Sequence, residues 1–273
     1  MANIGYYYCS IKTMKSILEN HSLRFSDPLK MNDGRELTWF FDELFNYEDY
    51  HFRYPAELNS NAFSKISSPT DLINKGQKAL YCLCLSKDGD DIGLWRSYAK
   101  DASGVAIGLD IDKIIGDGEG FISQFDIEYT KKLTPDQKEL VQKNIIATET
   151  IYGGFVDNKT IPPAGMSFLY INGLLQESIK YKSPDYAGEK EVRVLYDISP
   201  DVNSEIRAAL IKTRKDKKFS KIDYHNQEFK NSPIVSITIG PTCNHKEDYF
   251  RRKIKEYGYT DGIVITKSRI SYR

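Results

Sequence analysis

The chain has 273 residues, with 38 Lys and Arg against 38 Asp and Glu, and 40% of its residues are hydrophobic. These values exclude collagen-like, low-complexity and intrinsically disordered proteins, and the chain is long enough to bury a sizeable core. The longest apolar run, Ala79–Leu85, is far shorter than the roughly 20 residues that a membrane helix needs, and the N-terminus has no cationic start followed by an apolar stretch. We therefore expect a cytoplasmic protein without a membrane partner.

The first half of the sequence alternates between β-prone segments and amphipathic helices. The predicted helices begin after capping residues such as Ser10 and Asp91 and carry apolar residues at helical spacing. In chain order we expect a strand at 4–9, a helix from 11, a strand at 23–26, helices through 37–44 and 69–76, a strand at 79–86, a helix at 92–99 and a strand at 105–109.

The second half continues this mixture of strands and uneven helices. We expect strands at 121–129, 189–196, 219–224, 234–239 and 262–265, and helices from a capping box at Thr134–Gln137, around 166–179, and from His245, capped by Asn244, to Tyr257. Because no regular βαβ alternation is present, the pattern predicts an α+β fold rather than a doubly wound sheet. We expect a single domain, residues 1–273, with a helical or irregular insertion at about 42–78.

Charge is distributed unevenly along the chain. Residues 204–273 carry 16 Lys and Arg against 8 Asp and Glu, so this basic C-terminal third has a net charge of +8. Its main cluster, Lys212–Lys218, follows a helix-like segment at 205–211. One interpretation is a solvated helix end, where the helix dipole favours cations, and the other is a surface that attracts polyanions such as nucleic acid.

The common catalytic and metal-binding motifs are absent from the sequence. It has no P-loop, no Rossmann glycine motif, no hydrolase elbow and no zincin motif, and its four cysteines form no C-x-x-C pair. We therefore expect buried free thiols and no metal cofactor. A loose acidic cluster of Asp110, Asp112 and Glu128 leaves a magnesium-dependent nuclease as an alternative function, although acidic residues also commonly end strands.

One acidic pair stands out, at Glu189 and Glu191. Residues two apart on a strand share a face, and Arg193 follows on the same face of the predicted strand. Like charges at this separation repel each other, and catalytic sites commonly compensate such repulsion with a cation or a ligand. The competing interpretation is an exposed edge strand whose charges prevent aggregation.

Several short motifs are spread along nearly the whole chain. They are Tyr6–Ser10, Leu23–Ser26, Met31–Glu36, Cys84–Ser86, Leu94–Ala99, Gly104–Leu109 and Glu189–Arg193. In this order they resemble the landmarks of the bacterial family catalogued as domain of unknown function 2971, over about residues 5–265. Two positions depart from the family pattern, since Tyr7 stands where the family usually has histidine and Gly34 where it usually has proline.

More distantly, the same order of features looks like an ADP-ribosyltransferase. This resemblance implies a mixed or antiparallel split sheet and an enzyme of bacterial toxin or phage-defence type that takes NAD as its substrate. In such an enzyme Glu191 would be catalytic, while Glu189 would orient an acceptor. The residues that would bind NAD are Tyr7, Arg24, Ser26, Ser86, Trp95, Arg96, Tyr98 and Arg193.

Several of these residues also have a structural explanation. A guanidinium fork at Arg24 or Arg96 fits a pyrophosphate, but it also fits a surface salt bridge. The ring of Tyr98 or Trp95 would stack on nicotinamide, whereas Trp95 lies on the apolar face of its predicted helix and equally fits a core position. The acceptor of ADP-ribose stays open among water, protein and nucleic acid. A non-enzymatic module that binds nucleic acid through the basic C-terminal third is a further alternative.

Overall fold

A computed structural model describes residues 2–28, 40, 80–117, 121–141, 143–144, 175–198, 211–216, 220–260 and 262–272. The insertion predicted at 42–78, the helix predicted at 69–76 and the helix-like segment at 205–210 lie outside the described residues, so these predictions stay predictions. The chain divides into two compact units, one formed by residues 1–26, 81–126 and 186–273 and the other by residues 27–80 and 127–185.

Strands dominate the described part of the chain. They are β1 (Ile4–Cys9), β2 (Ser22–Ser26), β3 (Leu80–Ser86), β4 (Val105–Asp110), β5 (Phe121–Asp126), β6 (Glu128–Tyr129), β7 (Tyr181–Lys182), β8 (Glu191–Asp197), β9 (Ile211–Asp216), β10 (Ser220–Glu228), β11 (Ile234–Ile239) and β12 (Val264–Lys267). The helices of the described residues include α1 (Ile11–Asn20), α2 (Ile92–Tyr98), α3 (Ile111–Asp117), α4 (Glu247–Glu256) and a 3₁₀ helix at Pro184–Glu189.

The first unit is built on one ten-stranded mixed sheet. Its main path runs β12-β11-β4-β1-β3-β2-β10-β9, and β8 also pairs with β3 and carries β5 on its other side. The pair β11–β12 is parallel, whereas β1–β4, β2–β10, β9–β10 and β5–β8 are antiparallel. The predicted α+β class is therefore confirmed. β3 is the branch point of the sheet, because it pairs with β1, β2 and β8.

The sheet separates two apolar clusters of different size. Tyr7 and Cys9 of β1 pack with the larger cluster, which also contains α1, α4 and alternate residues of most strands. Tyr6 and Tyr8 pack with the smaller cluster, which is centred on Trp95 of α2. This division follows from the two-residue period of a strand, which sends successive side chains to opposite faces.

Local capping chemistry fixes the helix starts that the sequence predicts. Ser10 Oγ accepts a hydrogen bond from the Thr13 amide at 3.1 Å, and an Asp91 carboxylate oxygen accepts one from the Leu94 amide at 3.0 Å. At α4 the prediction is wrong in detail, because the helix starts at Glu247 after Lys246, whose side chain makes no capping bond. Asn244 is therefore not the cap of this helix.

The second unit contains the short parallel pair of β6 and β7. The predicted capping box is confirmed there, since the Thr134 amide donates to Gln137 Oε1 at 2.7 Å and the Gln137 amide donates to Thr134 Oγ1 at 3.2 Å. The Phe40 ring stacks on Tyr181 with 5.5 Å between ring centroids. Within the described residues of the whole chain, no helix is long and apolar enough to cross a membrane.

Candidate functional site

A buried ion pair lies at the start of β8. Glu191 and Arg193 are two residues apart, so their side chains share one face of the strand. Arg193 Nε donates to Glu191 Oε1 at 2.7 Å, and Nη2 donates to Oε2 at 3.2 Å. Their side chains are only 7% and 2% exposed. A bidentate pair of this kind compensates two charges that would otherwise be very costly to bury.

Cys84 of β3 contacts this ion pair. Burial raises the pKa of its thiol well above the ordinary value, and the negative charge of Glu191 and a hydrogen bond with that carboxylate raise it further, while Arg193 lowers it. The thiol is therefore protonated at neutral pH. Because β8 pairs with β3, the sheet itself holds the carboxylate and the thiol side by side.

Tyr7 of β1 extends the same polar region. Burial raises the pKa of its hydroxyl to about 12, and Cys9 and Cys84 raise it, whereas Arg24 and Arg214 lower it. Both guanidinium groups therefore lie within electrostatic range of the Tyr7 hydroxyl. Arg24 is exposed on β2, and its guanidinium lies over the Tyr224 ring at 4.3 Å from the centroid.

Ser26 of β2 is opposite Cys82 in the ladder between β2 and β3. Directly opposed residues share a face, and Cys82 and Cys84 are two apart, so the half-buried Ser26 lies on the same face of the sheet as Cys84. The branch at β3 thus brings together side chains from β2, β3 and β8 on one face of the sheet. The Tyr7 ring of β1 packs with the larger apolar cluster, and Tyr7 is counted with this group because Arg24 and Cys84 lie within electrostatic range of its hydroxyl. We call this group the central cluster, and its members are Tyr7, Arg24, Ser26, Cys84, Glu191 and Arg193.

The structure separates the predicted pair of acids. Glu189 ends the 3₁₀ helix, and Lys190 then adopts a left-handed conformation with a φ of 45° before β8 begins at Glu191. The expectation that both acids share one face of a strand is therefore wrong. The Glu189 carboxylate instead accepts a hydrogen bond from the Tyr98 hydroxyl at 2.8 Å.

The remaining predicted residues lie around α2. Trp95 is fully buried, its ring packs edge-on against Tyr8 at 4.8 Å, and its Nε1 donates to Asp90 at 2.8 Å. This favours the core interpretation of Trp95 over a ring that stacks on nicotinamide. Tyr98, by contrast, is 41% exposed.

Arg96 and Ser86 have local partners within the first unit. Arg96 is exposed and lies near Tyr272. A hydrogen bond with Asp101 raises the pKa of Tyr272, and the charge of Arg96 lowers it. Ser86 is buried, and its hydroxyl accepts a hydrogen bond from the Asp88 amide at 3.0 Å, which closes the turn after β3.

Three residues near the predicted site, Cys84, Arg214 and Tyr224, are not among the site residues that the sequence predicts. Cys84 was expected to be a buried structural thiol, and Arg214 was expected to lie near a helix end. Arg214 instead lies on β9, which pairs with β10 at the end of the described strand order. The signal in the sequence was the alternation of Lys212, Thr213 and Arg214, since a period of two places both cations on one face of a strand.

The three carboxylates of the nuclease alternative have separate structural partners. Asp110 accepts a hydrogen bond from the Lys113 amide at 3.3 Å, and Asp112 accepts one from Asn3 Nδ2 at 2.9 Å. Glu128 belongs to the second unit and accepts a hydrogen bond from Gln137. In the part of the chain that the structure describes, no group of three or more His, Cys, Asp or Glu side chains is arranged to hold a metal ion.

The chain is similar over part of its length to two curated proteins. They are the 3-dehydroquinate synthases of Clostridium perfringens strains SM101 and 13, each 28% identical over 138 residues, which is 46% of this chain and 39% of the relative. The match thus spans less than half of these relatives. No solved structure matches the chain. Residues 94–194, from α2 into β8, match the family described as "Protein of unknown function (DUF2971)", and this match confirms the family resemblance predicted from the sequence.

Proposed function

We propose that this protein cleaves the bond between nicotinamide and ribose in NAD, as an ADP-ribosyltransferase or NAD glycohydrolase of bacterial toxin or defence type. The observation that carries the proposal is the buried Glu191 carboxylate, which Arg193 holds in one orientation within the central cluster. Trp95 and Ser86 are buried among structural partners, whereas the other residues expected to bind NAD have an exposed or partly exposed side chain or, like Arg193, belong to the central cluster.

Bond cleavage in NAD generates positive charge on the ribose as nicotinamide leaves. A carboxylate that accepts a hydrogen bond from the ribose 2′-hydroxyl stabilises this oxocarbenium-like state more than the ground state, and this difference is what accelerates a reaction. Glu191 is suited to the task because its burial excludes water and strengthens its electrostatic field. Arg193 pairs with the carboxylate through two hydrogen bonds and orients it before substrate binds.

The other residues of the cluster supply binding. The Arg24 guanidinium is exposed and can form two parallel hydrogen bonds with the pyrophosphate of NAD. Tyr7 and Ser26 offer hydroxyl groups for the ribose that joins this pyrophosphate to adenine. Tyr98 stays the candidate for the nicotinamide ring, since it is exposed, and its hydrogen bond with Glu189 orients both side chains.

The test is the release of nicotinamide from NAD by the purified chain, with and without cell lysate. We expect wild-type protein to release nicotinamide and Glu191→Gln to lose this activity. Glu256→Gln, which removes an exposed acid whose partner is Lys253, is the matched control and should keep wild-type activity.

Since Glu191→Gln also alters a buried ion pair, a second variant separates catalysis from folding. Arg24→Gln changes an exposed side chain, so it should fold normally and raise KM for NAD more than it lowers kcat. Wild-type protein that is indistinguishable from Glu191→Gln in several lysates would defeat the proposal.

A further inference from the structure

A row of cations and one aromatic ring share a face of β2, β10 and β9. Arg24 is opposite Asn226, and Ser26 is opposite Tyr224 in the β2–β10 ladder. Tyr224 is in turn opposite Lys212, and Ile222 is opposite Arg214. Because directly opposed residues project to the same side, Arg24, Tyr224, Lys212 and Arg214 form one surface, which we call the basic face.

The basic face is the outer face of these strands. The alternate residues Phe25 and His225 are buried, and the His225 ring stacks on Tyr196 at 4.0 Å. Lys212, Arg214 and Arg24 are exposed, and Tyr224 is half-buried. Glu228, an acidic residue on the same face, lies at the opposite end of the β2–β10 ladder, beside Ser22.

The basic face continues into the central cluster. Arg24 belongs to both. Its guanidinium lies over the Tyr224 ring, 4.3 Å from the centroid, so the two groups together offer a platform on which a base can stack. Arg214 lies within electrostatic range of Tyr7, as does Arg24. A ligand that follows the cations of β9 is therefore led to the residues proposed to bind NAD.

We propose that the basic face binds single-stranded nucleic acid and presents it to the central cluster as the acceptor of ADP-ribose. The acceptor role rests on the proposed cleavage of NAD. Lys and Arg side chains neutralise the phosphates, and the Tyr224 ring with its guanidinium partner offers a stacking surface that every base fits. An acidic protein would use the cations but not the ring, so the aromatic member of the face favours a nucleic acid.

The transfer step needs no further reactant. An oxygen or nitrogen atom of the nucleic acid forms a bond to the ribose carbon that carries nicotinamide, and the bond from that carbon to nicotinamide breaks. The electron pair of the broken bond leaves with nicotinamide, which becomes neutral, and the proton of the acceptor atom passes to solvent. Glu191 stabilises the charge that develops between these two events.

The first experiment measures binding of a fluorescent thymidylate 20-mer by anisotropy, without NAD. Lys212→Ala should weaken binding about fivefold at 0.1 M salt and reduce the slope of log affinity against log salt by about 0.7, as expected for one lost phosphate contact on a single strand. Lys215→Ala is the matched control, because Lys215 is also exposed on β9 but projects from the opposite face, so binding should not change.

The aromatic contribution is tested at Tyr224. Tyr224→Leu should weaken binding about tenfold, whereas Tyr224→Phe should keep wild-type affinity, since stacking needs the ring and not the hydroxyl. Absence of binding in 0.05 M salt, equal losses for Lys212→Ala and Lys215→Ala, or equal competition by polyglutamate would each overturn the proposal. The last of these results would identify an acidic protein as the occupant.

The second experiment follows transfer of label from adenylate-labelled NAD to the same oligonucleotide. Wild-type protein should label it, and Lys212→Ala should label it less while releasing nicotinamide into water at the wild-type rate. Nicotinamide release with label on lysate proteins and none on the oligonucleotide overturns the acceptor assignment alone. If no nicotinamide is released at all, the proposed function and the acceptor role are both overturned. The anisotropy experiment then decides on its own whether the basic face binds nucleic acid.

Discussion

The buried pair of Glu191 and Arg193 makes a quantitative prediction about stability. Glu191→Gln removes the negative charge of the carboxylate that pairs with Arg193, whose side chain is 2% exposed. Breaking a buried pair in this way costs about 3–5 kcal/mol. Gln keeps the volume and one acceptor oxygen of Glu, so we expect the lower end, about 3 kcal/mol, which is a large share of the stability of a typical domain.

Removing both charges should cost less than the two single changes together. Arg193→Met removes the guanidinium that pairs with Glu191, and we expect a cost similar to that of Glu191→Gln. In the double variant neither charge of this pair stays buried, and replacing a buried pair with uncharged side chains is often nearly neutral. We therefore expect the double-mutant cycle to give a coupling energy of about 2 kcal/mol or more.

The assay is urea unfolding followed by tryptophan fluorescence. The chain has two tryptophans, of which Trp39 lies outside the described residues and Trp95 is fully buried in the first unit. A Trp39→Phe background makes Trp95 the reporter of the unit that contains the ion pair. The slope of the unfolding free energy against urea concentration reports how much surface unfolding exposes. If this slope is the same in all variants, shifts in the urea midpoint measure changes in stability.

An exposed pair serves as the control for this cycle. Glu247 and Arg251 are 48% and 50% exposed on α4, and Glu247→Gln should change stability by less than about 1 kcal/mol. The reasoning fails if Glu191→Gln behaves like this control and its effect adds to that of Arg193→Met. A carboxylate with so small an effect is solvated, and it could not supply the field that the proposed reaction needs.

Three further predictions follow from single positions. Burial raises the pKa of Tyr7 from 10.0 to about 12, so its neutral form contributes stability that is complete below pH 10 and lost between pH 10 and 12. Between pH 9 and 11 this loss is about 1.3 kcal/mol, and Tyr7→Phe should abolish it in urea unfolding at these two pH values. Cys84 should alkylate faster in Glu191→Gln than in wild type at pH 8.5, as peptide mass spectrometry would show, because removing the carboxylate lowers the thiol pKa; an unchanged rate contradicts the contact. Gly104→Ala should lower stability by about 3 kcal/mol, since its Cβ would lie 2.1 Å from the Cys9 carbonyl oxygen, whereas Gly116→Ala, with open space around it, should cost nothing in thermal unfolding.

The sequence predicts well those elements whose cause is local. β1, β11 and α1 lie where the pattern places them, because apolar spacing and a capping hydroxyl at Ser10 depend on neighbours within a few residues. The α+β class follows from the same local signals. The alternation of side chains between the two faces of a strand also correctly predicts that Glu191 lies beside Arg193.

Where the sequence fails, the cause is a conformation or a pairing that local patterns do not encode. The left-handed backbone at Lys190 interrupts an otherwise strand-like segment. Glu189 therefore ends a 3₁₀ helix and does not share a strand face with Glu191, although a spacing of two residues is typical of one face of a strand. β9 forms because β10 pairs with it, and a charged segment such as Lys212–Asp216 carries little intrinsic strand signal. The meeting of Tyr7, Arg24 and Cys84 depends on the branch at β3, which no local pattern reveals.

The composition of β8 gives a physical argument that its charged pair serves a function. Val192, Val194 and Tyr196 bury one face of the strand in the larger apolar cluster, so β8 does not need charges on its other face in order to pair with β3 and β5. Apolar residues of similar volume at 191 and 193 would be at least as stable, because a buried ion pair rarely recovers the cost of removing both charges from water. A buried ion pair that adds little stability over apolar residues, placed where β3 branches and next to exposed cations, is the arrangement expected of a site that binds and polarises a charged ligand. The stability cycle and the nicotinamide assay test this arrangement together, since loss of activity without a measurable coupling energy would contradict the electrostatic role of Glu191.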